Sequence, residues 1–139
     1  MRQVHHRLTV DTPRRGTVEI TRAVATWLAS TGLRDGLLTL FIRHTSASLL
    51  IQENADPGVQ RDLERFFARL APDGDPLFEH VAEGRDDMPA HVRTALMQTQ
   101  LAIPFENGVL GLGTWQGIFV FEHRLRGHRR EVALHALGD

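Results

Sequence analysis

The last forty residues constrain the fold most. Short apolar runs are broken there by Asn107-Gly108, Gly111, Gly113, Gly117 and Gly127. This is the signature of antiparallel strands joined by tight turns. Upstream the period changes. Residues 3 to 10 alternate, with Val4, His6, Leu8 and Val10 on one side, and Thr12-Pro13-Arg14-Arg15-Gly16 then reads as a turn. Thr21 is placed to cap a short helix with Val24, Trp27 and Leu28 inward and Gly32 just past its end. A strand at about 36 to 43 runs through the polar interruption His44-Thr45-Ser46-Ala47-Ser48 into Leu49-Leu50-Ile51. Asp56-Pro57 is a strong helix start, and Val59, Leu63, Phe66, Phe67 and Leu70 form one apolar stripe for packing on a sheet. Pro72-Asp73-Gly74-Asp75-Pro76 ends that helix. Asp86 or Asp87 then caps a third, at about 88 to 97, with Val92, Leu96 and Ala95 inward. The pattern predicts a single compact α+β domain, with an antiparallel, sandwich-like core and about three helices.

Composition narrows the chemistry. A chain of 139 residues, 42% hydrophobic and with a formal charge of −1, is enough for one domain with a real core. No apolar run approaches the roughly 18 residues of a membrane span, and Met1-Arg2-Gln3-Val4-His5-His6 lacks a signal peptide's apolar stretch. A cytoplasmic protein with no membrane partner is expected. Cys, Lys and Tyr are absent, and all sixteen basic residues are Arg. That removes thiolate nucleophiles, Cys-ligated metals, Schiff bases and a P-loop lysine, leaving His, Asp, Glu, Arg, Ser and Thr.

The window Phe78 to His91 holds the two imidazoles of His80 and His91 and the four carboxylates of Glu79, Glu83, Asp86 and Asp87, broken by Gly84 and Pro89. Asp87 and His91 are four apart, so on a helix they share a face where a metal or a phosphate can sit, with His80 and Glu83 reaching in from the loop. The plainer reading makes Asp87 a cap and the others solvated. Within His44-Thr45-Ser46-Ala47-Ser48 at least one polar side chain should face the core, as part of a site or of a bulge that satisfies backbone groups. Glu53 has no evident local duty, whereas Asp56 is a cap. Trp115 and Gln116, in Gly111-Leu112-Gly113-Thr114-Trp115-Gln116-Gly117, suit stacking on and hydrogen-bonding to a flat ring, or a hairpin with Trp115 in the core. Glu122 is flanked by apolar residues and is expected to point inward. His123 to Arg130 reads as a solvated basic hairpin centred on Gly127; without interleaved aromatics in a nearly neutral chain, no nucleic-acid partner is expected.

Together, His44-Thr45-Ser46-Ala47-Ser48-Leu49, Gln52-Glu53-Asn54, Asp56-Pro57, His80 with Glu83-Gly84, Asp86-Asp87-Met88-Pro89-Ala90-His91, Ile103-Pro104, Asn107-Gly108 and Gly113-Thr114-Trp115-Gln116-Gly117-Ile118 resemble the YjbQ family in order and spacing across nearly the whole chain. Gln100, Phe105 and the segment Arg124 to Arg130 depart from the family pattern; local repacking is expected at the first two. The resemblance implies a small α+β protein that assembles as a homotrimer, in a family described as secondary thiamine-phosphate synthases. It also implies a divalent metal ion, zinc or magnesium, held among His44, His80, Asp87 and His91. A small-molecule substrate would be bound by His44, Thr45, Ser46, Trp115 and Gln116. The residues expected to carry catalysis are Glu53, Asp87, His91 and Glu122. Two alternatives stand beside thiamine-phosphate synthesis: a metal-dependent hydrolase in which Glu53 or Asp87 activates water, and a non-enzymatic trimer that binds a small anion.

Overall fold

A computed structural model describes residues 1–139. The chain runs β1 (Arg2–Asp11), β2 (Arg14–Glu19), α1 (Thr21–Ser30), β3 (Gly36–Ile42), β4 (Ala47–Glu53), α2 (Pro57–Leu70), α3 (Asp87–Leu96), β5 (Gln100–Glu106), β6 (Val109–Leu110), β7 (Gln116–Arg126) and β8 (Arg129–Gly138). The strands form two antiparallel sheets, ordered β1-β8-β3-β5-β6 and β2-β7-β4. The inward residues of β3, β5 and β8 alternate as the period of two requires: Leu38, Leu40 and Ile42; Leu101, Ile103 and Phe105; Val132, Leu134 and Ala136. They meet Leu49, Ile118 and Val120 of the second sheet and Val24 and Leu28 of α1 in one core cluster. Phe105 is accommodated because Gly36, its partner in register, has no side chain; a Cβ there would fall 2.8 Å from the Phe105 ring and 2.1 Å from the Leu137 carbonyl oxygen. Gln100 is exposed at the start of β5.

Several expectations need correction. Arg14 to Gly16 belong to strand β2, not to a turn, and only Thr12 and Pro13 bridge the sheets. Thr21 does not cap α1. Ile20 occupies the cap position, and the Thr21 hydroxyl donates to Glu19 and accepts from the Ile118 amide. The basic segment is no solvated hairpin: β7 and β8 lie in different sheets, and Gly127 marks the crossing, where a Cβ would sit 1.9 Å from the Thr12 carbonyl oxygen. The polar stretch His44 to Ser46 is likewise a crossing, from β3 in one sheet to β4 in the other.

Two helices differ in how they face the core. Asp56 caps α2 as expected, accepting from the Gly58 amide at 2.8 Å, with Pro57 in the first turn. However, no residue of α2 is buried, and Phe66 and Leu70 remain 50% and 51% exposed. Phe67 makes the main aromatic contact with the sheet, edge-on to Phe121 at 5.9 Å between centroids. In α3 the buried positions are Asp87, Pro89, Ala90 and Arg93, while Val92 is half-buried and Ala95 and Leu96 are exposed. Ion pairs set this face: Asp87 turns toward His80 and Arg124, and Arg93 toward Glu64. No helix is long and apolar enough to cross a membrane.

Candidate metal centre

Three ligand atoms, from His80, Asp87 and His91, lie within 4.8 Å of one another. The Asp87 Oδ2 atom is the hub, 2.7 Å from His80 Nε2 and 3.1 Å from His91 Nε2. Asp87 and His91 stand one helical turn apart at the start of α3, as their spacing predicted, and His80 arrives from the loop after α2. The second ring nitrogen of His91, Nδ1, lies 2.7 Å from the Thr45 carbonyl oxygen. A carbonyl only accepts, so Nδ1 carries a hydrogen, and in the neutral ring Nε2 presents a lone pair to a carboxylate oxygen. Two acceptors face each other there, and only a proton or a cation between them makes the contact favourable. A histidine whose far nitrogen donates to a carbonyl is the usual outer-shell arrangement of a metal ligand. The donor set, two imidazoles and one carboxylate, suits zinc or a related divalent ion and leaves coordination positions free.

The other Asp87 oxygen is held from outside. Arg124 Nη1 lies 2.9 Å from Asp87 Oδ1, its Nε donates to Asp86 Oδ2 and its Nη2 to the Glu83 carbonyl oxygen, each at 2.9 Å. Burial works to raise the Asp87 carboxyl, but the His80 hydrogen bond and the charges of His91 and Arg124 outweigh it and hold it below the usual carboxylate range. Glu83 thus contributes its backbone, and its side chain is outside the cluster.

The remaining predicted site residues lie elsewhere. His44 is not among the gathered ligand atoms, because its Nε2 accepts the Glu131 amide at 2.8 Å. Burial, then the nearby Arg130, lowers its pKa. Thr45 meets the cluster through its carbonyl, and the Ser46 hydroxyl accepts from Arg130 at 3.0 Å. Glu122 is fully buried and paired with Arg130, so it packs the sheet crossing instead of facing a substrate. Glu53 has a local duty after all: its carboxylate accepts the Asp56 amide at 2.9 Å. Trp115 is 62% exposed, so it is not a core residue, and its carbonyl accepts from Asn54. Gln116 pairs with Glu53 at one end of the β4–β7 ladder, whereas Thr45 and Arg124 flank the other, roughly 20 Å away at the rise of a strand. Within one chain, then, Trp115, Gln116 and Glu53 do not converge on His80, Asp87 and His91.

Sequence reading missed a buried pair beside the cluster. Ser48 Oγ and His123 Nε2 are 2.9 Å apart and both residues are fully buried. The spacing is that of a nucleophile and its base, but no substrate reaches it. Burial, then the charges of Arg93, Arg15 and Arg130, pushes the His123 pKa down to about 3. The folded protein therefore keeps His123 neutral where the unfolded chain, with an ordinary histidine, takes up a proton below about pH 6.5. Stability is full above that pH and falls as pH drops toward 3. His123→Gln should flatten this dependence. Thermal melts at pH 7.5 and 5.0 check it: the wild type should lose several degrees more than the variant, and equal losses would remove His123 as the cause.

The fold agrees with that of known relatives. A family description, UPF0047 protein YjbQ-like, matches residues 6–139. The chain belongs to the YjbQ-like family. It is 58% identical over 108 residues to the UPF0047 protein sll1880 of Synechocystis sp., covering 78% of this chain and 74% of that one. It is 41% identical over 133 residues to the UPF0047 protein YjbQ of Escherichia coli O157:H7, covering 95% and 96%. Among solved structures, the hypothetical protein APE1520 from Aeropyrum pernix K1 superposes with a TM-score of 0.89 at 31% identity, over 98% of this chain and 99% of that one. The conserved hypothetical protein TT1486 from Thermus thermophilus gives 0.85 at 39% identity, over 95% and 99%. The two-sheet α+β fold is thus that of the YjbQ-like family.

Proposed function

We propose that this YjbQ-like protein is a metal-assisted enzyme acting on a small phosphorylated, heterocyclic substrate, with thiamine-phosphate synthesis as the specific candidate. One observation carries the reading: the Thr45 carbonyl fixes His91 so that its Nε2 faces Asp87 Oδ2 at 3.1 Å, with His80 on the same oxygen. His80, Asp87 and His91 would hold the ion, and Arg124 would keep Asp87 turned so that one oxygen stays available. A divalent ion supplies electrostatic stabilisation to a diphosphate leaving group. In the candidate reaction a thiazole nitrogen forms a bond to the pyrimidine methylene carbon as its C–O bond to the diphosphate breaks, releasing pyrophosphate. Such a displacement needs no protein nucleophile, which suits a chain without Cys or Lys. The hydrolase reading is weaker, because of its two nominated bases Glu53 is committed to the Asp56 amide and Asp87 is one of the residues that would hold the ion.

A homotrimer is part of the proposal. Its support is apolar surface: α2 buries no residue, and it borders a cleft of about 440 Å³ walled by Leu50, Leu63, Phe67, Leu96 and Met97. A contact there between copies would cover this face. Light scattering on the purified protein should give three times the 15.6 kDa chain mass; a monomer at micromolar concentration would remove the trimer.

The activity test supplies hydroxymethylpyrimidine diphosphate and thiazole phosphate with zinc or magnesium and measures thiamine phosphate. Metal-dependent turnover that is lost in Asp87→Asn is the expected result. Turnover unaffected by a chelator, or none with any divalent ion in a folded, metal-loaded sample, would overturn this assignment.

A further inference from the structure

Asp86 stands at the cap position of α3, where an aspartate ordinarily accepts from the amides of the first turn, yet its side chain caps nothing. Its Oδ2 atom instead accepts from Arg124 Nε and from the Leu125 amide, both at 2.9 Å. The carboxylate is 15% exposed and is held to a strand residue 38 positions away. Burial works to raise it, but Arg124 and the Leu125 amide outweigh that and keep it ionised below the usual range. Gly84 leaves room for this arrangement: it has a φ of +111°, and a Cβ there would fall 3.1 Å from Asp86 Oδ1. A residue that gives up the bond its position favours, with a neighbour shaped to permit it, points to a role outside the helix.

That role lies in what Asp86 holds. The guanidinium of Arg124 is planar, and all three of its arms are committed: Nε to Asp86, Nη2 to the Glu83 carbonyl, and Nη1 at 2.9 Å from Asp87 Oδ1. Its main chain is fixed as well, because the Arg124 amide donates to Glu122 Oε2 at 3.1 Å. With Nε pinned, the plane cannot turn, so Nη1 stays on Asp87 Oδ1 and the other oxygen stays with His80 and His91. Freed from Asp86, the same fork is able to take both oxygens of Asp87, the pairing that arginine and carboxylate favour, and to draw Oδ2 off the histidines.

We propose that Asp86 is a positioning residue of the metal centre, which acts through Arg124 to keep Asp87 Oδ2 turned toward His80 and His91. The inference rests on the metal reading of that cluster. Asp86→Ala and Arg124→Gln, singly and together, test it by zinc titration against a competing chelator, with circular dichroism to verify folding. The visible spectrum of each cobalt-loaded protein is the second readout. Asp86→Ala should weaken zinc binding about tenfold or more, within the range for outer-shell partners. It should also shift the cobalt bands of the folded protein, which a loss of stability alone leaves in place. Asp86→Asn keeps an oxygen for Arg124 and should fall between Asp86→Ala and the wild type. Because Asp86 acts through Arg124, the double variant should bind zinc as Arg124→Gln alone does. Losses that multiply in the double variant would overturn the proposal. Wild-type affinity and spectrum in folded Asp86→Ala would overturn it too, and metal loss in Asp87→Asn alongside would leave the reading of the cluster standing. A wild type that takes up neither zinc nor cobalt would remove that reading, and this inference with it.

Discussion

Glu122→Ala should destabilise the protein by about 3 to 5 kcal/mol, the usual cost of stripping one partner from a buried ion pair. Glu122 is fully buried and accepts from Arg130, from the Thr12 hydroxyl at 2.6 Å and from the Arg124 amide at 3.1 Å. Three strands meet through it: Thr12 follows β1, Glu122 and Arg124 belong to β7, and Arg130 to β8. It thus ties the sheets together where the chain passes between them. Burial works to raise its carboxyl, but Arg130, Thr12 and the Arg124 amide outweigh that and hold it below the usual range. Its stabilising effect is therefore present above the ordinary glutamate pKa and lost as pH falls through the lowered one. Denaturant unfolding at pH 7 reads the loss directly. The double variant Glu122→Leu with Arg130→Met should recover much of it, because the penalty lies in the lone charge and not in the missing attraction. Recovery no better than the single variant would mean that packing, not charge, holds this crossing.

Asp87→Asn should lower affinity for zinc by on the order of a hundredfold or more, since it removes the only anionic ligand and places an amide between two imidazoles. Arg124→Gln should have a smaller effect in the same direction, about tenfold to a hundredfold, the range for outer-shell partners. Arg124 touches Asp87 through the oxygen that faces away from the histidines. Titration with zinc against a competing chelator, with circular dichroism to verify folding, measures both. Equal affinity in a folded Asp87→Asn protein would take Asp87 out of the ligand set.

Local signals carried far in the sequence. The Asp87/His91 spacing placed both groups on one helix face, and Asp56-Pro57 started α2 where the caps require. The glycine-punctuated C-terminal region became strands, but the antiparallel partners of β7 and β8 are distant in sequence, so no turn pattern revealed that the two lie in separate sheets. That choice decides the fate of Glu122, His123 and Arg130, which a solvated hairpin would expose and a sheet crossing buries. Arg124 carried a weak signal: on a strand it shares a face with Glu122, two residues before it, so an inward Glu122 implied an inward Arg124. The separation of Trp115 from the histidines was invisible for a related reason. Both segments look functional, and only the register of β4 on β7 places them at opposite ends of one ladder. His44 was misleading because a histidine at a strand crossing satisfies a backbone amide as readily as it binds an ion.

Elemental analysis of the untagged protein, purified without chelator and measured by inductively coupled plasma mass spectrometry, tests the central claim most directly. One divalent ion per chain in the wild type and almost none in Asp87→Asn is the result this account predicts. A folded wild-type protein that holds no zinc, manganese or magnesium, even after incubation with each ion and gel filtration, would contradict it.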